Sequence, residues 1–434
     1  MLNKLLASLA LFGLWTTNLH AQTPRANTDE SKVGTYTLPD PLVDMQGKKV
    51  ATPQEWMSHR RPEVLRLFET YVYGKTPTPP KPIIPRYEVL SEKPDALDGI
   101  ALRRMIRIHF SEKTDGPSAD VLLYIPKQAT AERRVPAFLG LNLRGNHGVT
   151  READIPISTK WFRNNPAEGA VNNRATEKGR GLEATRWPLQ LIVKSGYAVA
   201  TAYYGDIDPD YDDGFRNGIH PLFVKEGWTH RAPDEWGAIG AWAWGMSRIL
   251  DYLETVPQID ATRTAVMGHS RLGKTALWAG AQDPRFAVVI SNNSGCGGAA
   301  LSRRNFGETV EIINKAFPHW FCENFRDFNR REAQLPVDQH ELIALIAPRP
   351  VLICSAEQDT WADPRGEFLA ALGADPVYRL LGTDGLAITE MPRPSEDSLT
   401  SSAIGYRYRP GRHDVMTSDW EAYIKFADRH LRKK

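Results

Sequence analysis

Seven short apolar runs recur between residues 101 and 356, each bounded by turn residues: "ALRRMIRIHF", "ADVLLYIP", "VPAFLGLNL", "YAVATAYY", "RTAVMGH", "FAVVISNN" and "RPVLICSA". They are rich in Val, Ile and Ala, the pattern of strands buried on both faces. Helical patterns separate the later runs. "EATRWPLQLIVKSG" has Gly196 where a helix C-cap belongs, and "DEWGAIGAWAWGMSRILDYLETV" carries Trp236, Trp242 and Trp244, whose size demands burial. Strand and helix in alternation build βαβ units, so the chain is expected to be α/β with a mostly parallel central sheet. The early strands could add an antiparallel edge.

The ends are simpler to read. "MLNKLLASLALFGLWTTNLHAQTP" has Lys4 as a basic start, an apolar stretch from Leu5 to Trp15, and a cleavable Leu19-His20-Ala21. Residues 1–21 are therefore expected to be a signal peptide, leaving residues 22–434 as one large domain in a secreted or periplasmic protein. The apolar stretch is too short for a membrane span, and no later one is long enough. Residues 23–50 read as loosely held. "TPQEWMSHRRPEVLRLFETYVYG" reads as a helix with a Thr52/Glu55 capping box, ended by "KTPTPPKPIIP". Residues from about 22 to 115 should pack onto the main core.

Composition excludes some partners. The 54 basic and 52 acidic residues nearly cancel, which gives no support to nucleic-acid binding. Cys296, Cys322 and Cys354 allow at most one disulfide, and their spacing fits no zinc site. "GDIDPDYDDGF" at 205–215 lacks the Gly and terminal Glu of a calcium loop and reads as a solvated turn.

The chemistry concentrates at "TAVMGHSRLGKTALW", residues 264–278. A strand, a sharp turn carrying Ser270 and then a helix is the layout of a nucleophile elbow, although the second Gly, Gly273, stands one place late. An ordinary serine N-cap is the plainer reading. A serine hydroxyl needs a base to take its proton and an acid to orient that base. The acid belongs after "RPVLICSA", where Asp359 competes with Glu357 and Asp363. The base is then sought downstream. His413 sits in a loop before a helix that Ser418 and Glu421 could cap, whereas His340 precedes the acid and His430 lies on the last helix. The Arg271 N–H would donate to an oxyanion, and "LNLRGNHGV" resembles the loop that supplies a second donor. Residues 150–181 are long and polar enough to form a lid over the open side of the site.

Taken together, "GHSRLGK", "NNSGCGGAALSRR", "SAEQDTWADP" and "GRHD" resemble the glucuronoyl esterases, carbohydrate esterase family 15, over nearly the whole mature chain. The resemblance implies an α/β-hydrolase fold, a three-layer α/β/α sandwich, working without metal or cofactor, and a monomer is expected. It implies hydrolysis of esters between 4-O-methyl-glucuronic acid of glucuronoxylan and lignin alcohols. It also implies Ser270 as nucleophile, His413 as base and Arg271 as oxyanion donor through side chain and backbone. Lys274, Glu308 and Trp361 would contact the uronate, and His319 and Trp320 stand nearby. Some members carry the acid directly before Ser-Gly, where this chain has Asn293, so Asp359 takes that role here. Others join the residues flanking Ser and His by a disulfide. Those places are His269 and Asp414, which should pair directly and raise the pKa of His269. The rival readings are an acetyl xylan or feruloyl esterase, or a carbohydrate-binding protein on the same fold.

Overall fold

A computed structural model describes residues 26–225, 227, 230–400 and 402–432. The expected signal peptide and its cleavage site lie outside these residues. The strands are β1 (Arg86–Asp95), β2 (Ala101–His109), β3 (Ser118–Pro126), β4 (Val135–Asn142), β5 (Ala170–Val171), β6 (Arg174–Ala175), β7 (Ala198–Tyr203), β8 (Ile259–His269), β9 (Val288–Asn292), β10 (Val351–Ala356) and β11 (Ile404–Arg409). Nine of them form one sheet in the order β1-β2-β3-β7-β4-β8-β9-β10-β11. Pairing from β7 to β11 is parallel, and β1, β2 and β3 add an antiparallel edge. β5 and β6 form a separate small hairpin.

The parallel strands β4, β7, β9 and β10 are largely apolar because both faces are covered. Side chains alternate between two cores: Ala137, Leu139, Val289, Val351 and Ile353 face one, while Phe138, Val288, Ile290, Leu352 and Cys354 face the other. The first core takes its cover from helices Ala238–Glu254, Arg271–Gln282 and Pro364–Leu380, the second from Leu189–Lys194 and Thr417–Leu431. Trp236 and Trp242 are fully buried and Trp244 half-buried. All three cysteines are buried and unpaired.

The N-terminal segment is fastened to this core. The Thr52/Glu55 capping box is present. Arg60 then bonds Glu63 and Glu341 at 2.7 Å each, and Arg61 donates to the Ala281 and Leu345 carbonyls. The stretch expected to be loose is held from Asn27 onward. The Asn27 carbonyl accepts from Gly307 N–H, Glu30 pairs with Arg304, and Asp44 caps the turn at Gln46 and Lys48.

β1 and β11 escape the apolar-run criterion for different reasons. β1 is an exposed edge strand, so polar residues are tolerated along it. β11 ("IGYRYR") carries Arg407 and Arg409 into the interior, where both reach the fully buried Asp419 at 3.0 and 2.9 Å. Asp419 also starts the Thr417–Leu431 helix by accepting from Met416 N–H, the part expected of Ser418 and Glu421. Among the described residues no helix is long and apolar enough to cross a membrane.

Candidate active site

β8 ends at His269, and the helix from Arg271 begins at once, leaving Ser270 alone in the turn with φ 59° and ψ −127°. This left-handed backbone is unfavourable for a residue with a side chain, and it lifts the hydroxyl off the end of the sheet. A Cβ at Gly268 would stand 1.8 Å from the Leu272 carbonyl oxygen, so only glycine fits there. Gly273 brings the helix against Ser294 and the Asn292 carbonyl, where a Cβ would meet atoms at 3.0 and 3.2 Å. The late glycine therefore serves close helix–loop packing, while Leu272 at the usual place joins the core.

Asp359 and His413 come from the loops after β10 and β11. His413 Nδ1 lies 2.6 Å from Asp359 Oδ2, with Asp359 buried and the imidazole partly exposed. Two of the rivals are engaged elsewhere: Asp363 binds Arg304 and caps the following helix, and the imidazole of His340 meets the Pro39 carbonyl. Ser270, His413 and Asp359 line one cavity of about 340 Å³ together with Arg271, Lys274, Glu308, Trp320 and Trp361. The cavity gathers the expected catalytic, oxyanion and uronate-contact residues and Trp320, while His319 stands behind it on Asp210. Asn293 also lines it with φ 47°, and neither amide atom has a hydrogen-bond partner.

The cations differ in their settings. Lys274 Nζ donates to the Ser294 carbonyl at 2.6 Å and lies 3.5 Å from Glu308 Oε2, all buried. Trp361 is 48% exposed, and its carbonyl accepts from Glu308 N–H at 2.9 Å. That close approach requires Gly307, where a Cβ would stand 2.4 Å from the Trp361 oxygen. The Arg271 guanidinium lies 4.7 Å from the Trp320 ring and pairs with Asp210.

Asp210 belongs to the acidic segment read as a solvated turn, and that reading is overturned. Asp206, Asp208 and Asp210 are all buried. Asp208 pairs with His220 at 3.3 Å, and Asp206 accepts from Asp120 N–H. Asp210 takes His319 at 2.9 Å, Trp320 Nε1–H at 2.7 Å and Tyr204 O–H at 2.9 Å besides Arg271. Burial works to raise its pKa, but His319, Arg271 and Trp320 outweigh it and hold the carboxyl below the usual range. The carboxylates sit beside aromatic residues whose hydrogen bonds no linear pattern reveals.

Three further expectations are corrected. Residues 141–149 do not line the cavity; the turn after β4 instead holds the next segment, with Gly181 and Glu183 N–H bonded to the His147 and Gly148 carbonyls. None of residues 150–181 lines it either, and Thr159, Lys160, Trp161 and Arg174 border a neighbouring cleft. His269 and Asp414 do not pair. Arg186 takes the Asp414 carboxylate at 2.6 Å, and the Asn292 amide joins His269 Nδ1 and the Asp414 carbonyl at 3.0 Å each. Burial first, then the nearby His413 and Arg186, push the pKa of His269 well down, opposite to the expectation.

Glu367 is another residue the sequence did not flag. Fully buried, it accepts from Ser294 N–H, Gly295 N–H and Ser355 O–H at 2.6–3.0 Å and so fixes the loop beneath Lys274. Burial pushes it up to about 8.

A parallel sheet with an antiparallel edge, an elbow serine after a central strand, and an acid and a histidine after the strands that follow define the α/β-hydrolase class. Residues 228–382 match the family model described as glucuronyl esterase, fungi. The carbohydrate esterase MZ0003 of an unknown prokaryotic organism is 51% identical over 420 residues, 96% of this chain and 95% of that protein. A solved glucuronoyl esterase from Solibacter usitatus is 45% identical, covers 93% of this chain and 100% of its own, and superposes with a TM-score of 0.86. The 4-O-methyl-glucuronoyl methylesterase 1 of Wolfiporia cocos is 35% identical over 215 residues, 46% of this chain and 52% of that one. The chain belongs to the glucuronoyl esterases of carbohydrate esterase family 15, and it is an ester hydrolase.

Proposed function

We propose that this protein cleaves the ester between 4-O-methyl-glucuronic acid of glucuronoxylan and a lignin alcohol, with Ser270, His413 and Asp359 as its catalytic residues. The observation that carries the reading is the cavity itself, which sets Ser270, His413 and Asp359 beside the buried Lys274–Glu308 pair and exposed Trp361. Lys274 and Glu308 offer fixed polar contacts for sugar hydroxyls, and the Trp361 face offers a platform for a ring. The names of the Solibacter and Wolfiporia relatives support the same substrate class.

The steps follow from these positions. His413, held by Asp359 through Nδ1, presents Nε2 to take the Ser270 proton as Oγ attacks the ester carbonyl carbon. The oxyanion meets Arg271, whose charge favours the anionic intermediate over the neutral ester. Proton return from His413 expels the alcohol and leaves an acyl-serine. Water, deprotonated by His413, then attacks the acyl carbon; collapse frees the uronate and restores Ser270. The mature chain acts as an exported monomer in this reading, with residues 22–434 as one domain.

Hydrolysis of benzyl glucuronate, acetylated xylan and a simple acetyl ester, each with Ser270→Ala as control, tests the proposal. Strong preference for the glucuronate, abolished in the variant, is expected. Preference for the acetyl substrates would move the enzyme to another esterase class.

A further inference from the structure

Beyond the catalytic cavity lies a cleft of about 680 Å³, twice its volume, which no step above uses. The two share a wall. Pro209 and Tyr211 line the cleft, while Asp210 between them binds Arg271 beside Ser270. The buried Asp210 thus stands between the catalytic cavity and this cleft, its chain neighbours on one side and its Arg271 partner on the other.

Its floor is aromatic. Trp161 and Tyr211 are half-buried with ring centroids 4.6 Å apart. Both are tethered: the Trp161 carbonyl accepts from Tyr203 O–H at 2.8 Å, and Asn217 Nδ2–H donates to the Tyr211 hydroxyl at 2.9 Å. Fixed aromatic faces beside polar groups suit the alternating apolar and hydroxyl faces of a sugar ring.

Its rim is cationic. Lys113, Lys160, Arg174 and Arg216 line the cleft against only two carboxylates, Asp115 and Asp206. Asp206 is buried and accepts from Asp120 N–H. Among the described residues none of the four cations forms an ion pair, although most arginines elsewhere on the chain do. Lys160 lies near the buried Asp206 and Arg174 donates to the Thr159 carbonyl, but no carboxylate pairs with any of the four, and such cations around aromatic rings call for a ligand that brings its own negative charge.

We infer that this cleft is a second saccharide subsite, which binds another carboxylate-bearing sugar of the same acidic xylan while one uronate ester occupies the catalytic cavity. The inference rests on the proposed substrate. It adds that the enzyme favours stretches of xylan carrying closely spaced uronate branches.

The test uses the Ser270→Ala protein and calorimetric titration with xylo-oligosaccharides bearing one or two glucuronic acid branches. The two-branch ligand is expected to bind at least about fivefold more tightly. That advantage should vanish in Ser270→Ala combined with Trp161→Ala or with the exposed Arg216→Glu. Equal binding of the two ligands, or an advantage that survives both substitutions, would overturn the subsite. Benzyl glucuronate is too small to reach the cleft, so Trp161→Ala and Arg216→Glu with Ser270 intact should hydrolyse it at the unsubstituted rate, which also reports correct folding. If the unsubstituted enzyme leaves benzyl glucuronate intact, the glucuronoyl-ester reading fails while the two-branch comparison still decides the subsite.

Discussion

Asp359 Oδ2 and His413 Nδ1 lie 2.6 Å apart across the gap between the loops after β10 and β11. The carboxylate is almost sealed from water, while the imidazole is 40% exposed. A buried acid on Nδ1 fixes the tautomer that leaves Nε2 free to accept a proton. Asp359→Asn keeps the shape and loses that orientation, so kcat on benzyl glucuronate should fall by about 10³-fold or more. Asn293→Ala should keep much of the activity. Comparable rates for the two variants would show that Asp359 is not the orienting acid.

Arg271 depends on a partner that never touches substrate. Asp210 holds the guanidinium and is itself held by His319, Trp320 and Tyr204. Asp210→Asn should free the guanidinium to swing, lowering kcat by about 10–100-fold, because an oxyanion donor counts only when preorganised. KM should move much less. A variant with KM raised and kcat intact would make Asp210 part of ground-state binding instead.

This same segment shows where the sequence was legible and where it was not. The seven apolar runs became β2–β4 and β7–β10; four of them, β4, β7, β9 and β10, are buried on both faces, and such strands must be apolar whatever surrounds them. Ser270 and Asp359 were readable because each follows an apolar run that forms a strand, and His413 from its order after them and its loop before the last helix, although β11 ahead of it did not read as a strand. Asp210, Asn292 and Glu367 were not. Each has a defining partner far along the chain, Arg271 at 61 residues from Asp210, Asp414 at 122 from Asn292 and Ser294 at 73 from Glu367, and only the fold brings these pairs together. The lid expectation for 150–181 failed for a related reason. Length and polarity indicate an excursion from the core but not its direction, and this one borders the neighbouring cleft.

Lys274 and Glu308 are both buried, 3.5 Å apart, with Lys274 also on the Ser294 carbonyl. Lys274→Ala strands Glu308 without its cation in a site shielded from water. Breaking such a pair from one side costs about 3 kcal/mol, so the melting temperature should drop along with activity. Glu308→Gln keeps the volume and a hydrogen-bonding group. It should remain folded and raise KM for the glucuronate about tenfold with kcat little changed. A melting temperature unchanged in Lys274→Ala would mean that water already screens the pair.

His147 makes folding stability depend on pH in a definite direction. Burial first, and then Arg180, push its pKa down to about 4, and its Nδ1 has no hydrogen-bond partner. The unfolded chain binds a proton near 6.5 and the folded one resists it until about 4. The contribution is therefore complete above pH 6.5 and is lost as pH falls toward 4, amounting to about 3 kcal/mol at most. Glu341 and Glu367, raised by burial to about 8, act in the opposite sense: their contribution is present below 4.5 and lost as pH rises toward 8. They act equally in a His147→Gln variant, so the difference between the two proteins isolates the imidazole. Urea unfolding at pH 7, 6, 5 and 4 should show the unsubstituted protein losing ground to His147→Gln below pH 6.5. A gap that stays constant across that range would mean that His147 is protonated in the folded protein as readily as in the unfolded chain.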